Sequence, residues 1–156
     1  MIPGTTPAAP DDTGDADPAL AAALAEGSPG TIRLALLRAR LLVPVVALRS
    51  EGEADMAVPA LVDAAGRRAL PVFSSYAALR AWRADARPVP MPGARAVAAA
   101  EAEHHDGMVL DVAGPAPHTV AGDDLRALAA AARAVLADPA VAIALAEPAD
   151  GPPAGC

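Results

Sequence analysis

Apolar residues change their spacing several times along this chain, and each change marks an element. Leu20 and Leu24 lie four apart after Pro18, which predicts a short helix from Pro18 to Ala25, stopped at Gly27. Ser28 and Pro29 fit the cap and first position of a second helix, which carries Ile32, Leu34, Ala35 and Leu37 and ends near Arg40. The run from Leu41 to Leu48 is continuously apolar rather than alternating, so a strand buried on both faces is expected, with a bulge near Pro44. Glu51 to Asp55 reads as a polar connection. Ala57–Val62 and Ala69–Phe73 then flank Asp63–Arg68 as a hairpin, with Gly66 where a positive φ is needed.

Ser74 or Ser75 caps the next helix, in which Tyr76, Leu79 and Trp82 recur at three-residue spacing on one side. Asp85 to Pro92 is expected to be extended, held by Pro88, Pro90 and Pro92, before a short alanine-rich helix from Ala94 to about Glu103. Gly107 to Val112 reads as another buried strand, and Gly114 to Pro117 carry the chain to Thr119 and Val120. A last helix from Gly122 or Asp123 to Ala137 has Leu125, Leu128, Ala132, Val135 and Leu136 as its apolar stripe. Val141 to Leu145 suits a strand or a helical turn.

The expected fold is a single α+β domain over residues 18–146, with one mixed β-sheet of four to five strands packed against helices chiefly on one face. Residues 1–17 mix proline, glycine and four aspartates, a composition expected to form a disordered acidic arm. Residues 147–156 are expected to be a disordered tail rich in Pro and Gly.

The hydrophobic share of 54% is ample for one core, yet much of it is alanine, which buries little area per residue. The only three aromatic residues, Phe73, Tyr76 and Trp82, fall within one short run, so large rigid surface can be built only there. All 12 basic residues are arginine and the net charge is −7, which disfavours a nucleic-acid partner because affinity for the phosphate backbone comes from positive charge. Cys156 is the only cysteine, so no intramolecular disulfide is available and a reducing cytoplasm is the expected compartment. No signal-peptide pattern opens the sequence, and no apolar run approaches the roughly 20 residues of a membrane span, so no membrane association is expected.

His104, His105 and Asp106 bring imidazole and carboxylate together, but adjacent helical residues diverge by about 100° and cannot share a metal as an i, i+4 pair does. They are read as a polar helix end. Ser74 and Ser75 lack a nucleophile elbow and suit capping, while Asp123 and Asp124 suit the positive end of a helix dipole. No catalytic residue, metal site or cofactor is therefore expected. Tyr76 and Trp82 at helical spacing read first as core and second as an exposed binding patch.

Leu41-Leu-Val-Pro-Val, Leu70-Pro-Val-Phe-Ser-Ser, Leu79-Arg-Ala-Trp, Arg87-Pro-Val-Pro and Gly107-Met-Val-Leu-Asp-Val follow one another in an order that resembles the N-terminal domain of the SseB family, over about Leu20 to Ala137. Relatives often have leucine-asparagine-proline where this chain has Leu110-Asp-Val, so no role of that asparagine transfers. The resemblance implies the fold and brings no catalytic residues. The expected function is a non-enzymatic protein-binding or adaptor domain that uses residues 75–84 and the adjoining Pro-rich segment, with Tyr76, Arg80, Trp82, Arg83 and Arg87 as binding residues. The alternative is a small-metabolite-sensing or enzyme-associated domain with a pocket near Ser74, Asp111 and His118. The partner is expected to be a protein, and the helix from Ala94 to Glu103 could also pack against a copy of itself to give a homo-oligomer.

Overall fold

The computed structural model describes residues 12–50, 52–138 and 140. Asp17 opens the first helix, α1 (Pro18–Glu26), by accepting the backbone N–H groups of Ala19 and Leu20. Gly27 closes it in the left-handed conformation at φ 81, which a glycine adopts without a Cβ penalty. The helix α2 (Pro29–Arg38) buries Ile32, Leu36 and Leu37, and Ser28 makes no side-chain cap bond.

The chain then extends into β1 (Arg40–Ser50), followed by β2 (Glu53–Ala57), β3 (Leu61–Val62) and β4 (Arg68–Val72). The helix α3 (Tyr76–Trp82) leads to β5 (Arg87–Pro92), and α4 (Gly93–Ala102) to β6 (Gly107–Leu110), β7 (His118–Ala121) and α5 (Asp123–Ala137). The architecture is α+β. Its strands are divided between a three-stranded sheet, order β2-β1-β5, and a four-stranded sheet, order β3-β4-β6-β7. The second is the mixed one, with β4 and β6 parallel and its other pairs antiparallel.

Proline placement explains how the sheets meet. Leu42 exchanges both backbone bonds with Phe73, at 2.8 and 2.9 Å, and this bridge joins the two sheets. Alternate residues of a strand turn their backbone groups to alternate sides, so the next position on that side is Pro44, which has no N–H to continue the ladder. No bulge forms there. The register with β5 runs unbroken from Arg40↔Pro92 to Val45↔Arg87. Pro88, Pro90 and Pro92 stand opposite Pro44, Leu42 and Arg40, so their ring nitrogens lie on the side of β5 turned away from β1. The segment expected to be extended is therefore a paired strand whose prolines remove no inner bond.

Two further expectations change. Glu53–Ala57 pairs antiparallel with the far end of β1, from Val46↔Ala57 to Ser50↔Glu53, where a polar connection was expected. The hairpin keeps its turn, with Gly66 at φ 80, but its first arm is only Leu61–Val62. Val141–Leu145 and the expected tail lie outside the described residues, as do residues 1–11 of the expected arm.

The main core lies between the helices and the inner face of the four-stranded sheet. Leu70, Val72, Met108, Leu110 and Val120 project from the sheet toward Ala96, Val97 and Ala100 of α4 and Leu125, Leu128, Ala129 and Ala132 of α5. Leu41 and Val43 join it from β1, while Leu42, on the opposite face, joins a separate cluster with Phe73 and Leu79. The strand is thus buried on both faces over Leu41 to Val46, while Ala47 and Leu48, at the end of the same apolar run, are exposed because only β2 pairs there. Small residues permit close helix approach. A Cβ on Gly93 would lie 1.6 Å from the backbone oxygen of Leu36, so the start of α4 can touch the end of α2 only with glycine there.

Candidate functional site

Ser75 caps α3, its Oγ accepting the backbone N–H of Ala78 at 3.1 Å. Ser74 does something else. It is buried, and it donates its hydroxyl to Asp111 Oδ2 at 2.6 Å and its backbone N–H to Asp111 Oδ1 at 2.8 Å. Asp111, at the left-handed φ of 52, thereby clamps the carboxyl-terminal ends of the parallel strands β4 and β6.

The five expected binding residues separate into four groups. Trp82 turns inward and packs on Phe73, with ring centroids 5.4 Å apart and the planes tilted by 31°. Tyr76 and Arg80, four residues apart, lie on the exposed face of α3, and Tyr76 is 46% exposed. The core reading of the tyrosine therefore fails, because one turn of helix carries it past the edge of the small cluster. Arg83 lies over the Trp82 ring, 5.8 Å from its centroid, and makes a bidentate bond to Asp85 at 2.8 and 3.0 Å. That bond raises the Arg83 pKa and lowers the Asp85 pKa. Arg87 is exposed at the start of β5, and neither it nor Arg80 has an ion-pair partner among the described residues.

Residues Asp12 to Asp17 lie across this helix start as a strap. Arg40 holds it, donating to Asp12 Oδ1 at 2.9 Å, to the Asp15 carbonyl at 2.5 Å and to the Ser74 carbonyl at 3.3 Å. The Arg40 and Asp12 side chains are only 24% and 14% exposed, so removing either would leave the other partly desolvated charge unpaired. The Gly14 carbonyl accepts the Tyr76 N–H at 2.8 Å. A Cβ on Gly14 would lie 2.8 Å from Tyr76 Cδ2, so glycine lets the strap touch the ring, and its φ of 80 independently favours glycine. Neither Arg40 nor Gly14 stands out in the sequence, since each gains meaning only from a partner at least 25 residues away.

Ser74 and Asp111 do meet, but His118 bonds to neither. Burial, and then the charge of Arg33, push the His118 pKa down. A cavity of about 660 Å³ opens instead at the other end of the same sheet, beside Arg68, His105 and Arg126. His104 and His105 follow the end of α4, His104 at a left-handed φ of 59. Asp123 and Asp124 occupy the first turn of α5, where Asp123 pairs with Arg126 and Asp124 with Arg33. Among the described residues no group of three or more His, Cys, Asp or Glu side chains could hold a metal ion, and no helix is long and apolar enough to cross a membrane.

A family model described as the SseB protein N-terminal domain matches residues 17–127, from the cap of α1 into α5. The match begins at the last residue of the strap. No curated protein and no solved structure matches the chain.

Proposed function

This chain belongs to the SseB N-terminal domain family, and we propose that it is a non-enzymatic binding domain whose α3 face holds an extended acidic segment of a protein partner. The observation that carries this reading is the strap. An Asp-containing segment already lies on that face, gripped by Arg40, bonded to the Tyr76 N–H and seated on the tyrosine ring. A partner segment of the same chemistry would use the same donors, and Arg80 and Arg87, without an ion-pair partner among the described residues, would extend the contact. Tyr and Arg are frequent anchors of protein interfaces. A soluble cytoplasmic setting is part of the proposal.

The test uses the full chain carrying Gly14→Val, which displaces the strap, titrated with a peptide of residues 10–18 and followed by Trp82 fluorescence. Saturable binding is expected, and adding Arg40→Gln should abolish it. Absence of binding to a folded Gly14→Val protein would refute the reading.

A further inference from the structure

The outer face of the four-stranded sheet is built differently from its inner one. Strand register places Leu61, Ala69, Gly107 and Ala121 in one row across all four strands, with Val109 and Thr119 in the row beyond. Three of those four side chains are the smallest available, and the 660 Å³ cavity extends from them around this end of the sheet, where Arg68, on the face of Leu70, and Glu101, His105 and Arg126 from the helix side also line it. That volume is within the range of pockets for small organic ligands. Gly107 is confined there, because a Cβ would come within 3.1 Å of the Val120 carbonyl and 3.2 Å of the Ala121 Cβ.

The polar wall has a directional imbalance. Each of its carboxylates already has a donor in the protein: Asp63 takes Arg67, Glu101 takes Arg133, and Asp106 takes the backbone N–H of Arg68. The guanidinium of Arg68 has no acceptor among the described residues, and Arg126 uses a single nitrogen on Asp123. His105 is part of the same wall. Its side chain is only 5% exposed, it lines the cavity, and its Nδ1 is buried with no hydrogen-bond partner. Its Nε2 lies 3.4 Å from Glu103 Oε2, so the ring completes the wall between the acids and the floor.

We propose that this cavity binds a small amphipathic carboxylic acid, its carboxylate on the Arg68 guanidinium and its apolar body on the Ala69-Gly107-Ala121 floor. Acids spent within the wall and arginine donors left over select an acceptor-rich head, since charge-assisted bonds from guanidinium to carboxylate are among the strongest available. The small-residue floor supplies the apolar contact. This site lies at the opposite end of β4 from the strap, so it stands or falls independently of the α3 reading.

The experiment is a titration of the isotope-labelled full chain with octanoate, octanamide and inorganic phosphate, followed by amide chemical shifts. Octanoate should move the Ala69, Gly107 and Ala121 amides at millimolar concentration, with octanamide and phosphate each about tenfold weaker or more. Arg68→Gln should erase the preference for acid over amide, and Ala121→Leu should fill the floor and weaken all binding while the spectrum stays that of a folded protein. Equal binding of acid and amide, an equal response to phosphate alone, shifts centred on α3, or no shifts in the folded wild type would each overturn the proposal.

Discussion

The two apolar clusters on either side of β1 are built by opposite means. On the Leu41 side, the main core reaches density through closeness, with Ala94, Ala96, Ala100, Ala129 and Ala132 fully buried and Gly93 against the Leu36 backbone. On the Leu42 side, Phe73, Leu79 and Trp82 reach it through size. Adjacent residues of one strand thus serve two packing solutions. In the first, the sensitive variable is the distance between backbones; in the second, it is the area of a few side chains.

Substitutions of opposite sense should separate them. Phe73→Ala empties the centre of the aromatic cluster and should cost about 4 kcal/mol in urea unfolding, with Trp82 emission shifted to the red. A cost below about 1 kcal/mol would mean that side-chain area does not govern this side. In the alanine core the damaging change is one of addition. Gly93→Ala drives a methyl into the Leu36 carbonyl and should cost about 3 kcal/mol, although it adds a better helix former. If instead it were neutral, α2 and α4 would have room to separate, and closeness would not be the rule there.

Ser74→Ala tests the clamp near the junction of the two clusters. Asp111 would keep the backbone bond and lose the hydroxyl, for an expected cost of about 2 kcal/mol by the same unfolding measurement. The smallest effect should come from His118, at the sheet edge facing Arg33. Its folded pKa lies below the ordinary 6.5, so the folded state binds the proton less readily than the unfolded one. Its contribution is complete above pH 6.5 and is lost as pH falls from there toward the depressed folded value. His118→Gln should flatten this shallow slope of unfolding free energy against pH, and a slope unchanged by the substitution would show that other groups set it.

Much of this contrast is legible in the sequence because it rests on local signals. Gly27, Gly66 and Ser75 end or begin elements where their backbone preferences say they should, and the unbroken apolar run of β1 announces two buried faces. Of the candidate site, the confinement of the aromatics to one run is visible, and of the two serines expected to cap α3, Ser75 does so while Ser74 bonds Asp111. Tyr76 is missed because helical spacing alone does not tell which turn passes the edge of the cluster, and the missed strands are matters of pairing. β2 reads as polar because Glu53 and Asp55 interrupt its apolar residues, and only the far end of β1 gives it a ladder. β5 reads as a breaker because three prolines look prohibitive until the register shows that they all face one way. The cavity floor is likewise invisible before register, since Ala69, Gly107 and Ala121 are unremarkable residues scattered over more than fifty positions.

The outward prolines of β5 carry a consequence for the molecule in a crowded solution. A strand arriving at that margin meets carbonyl oxygens at Pro88, Pro90 and Pro92 and no matching N–H, so it can give hydrogen bonds there and receive none in return. Such one-way bonding cannot propagate a ladder. The same three residues that fix the shape of the chain beside β1 therefore keep neighbouring copies from continuing its sheet past β5.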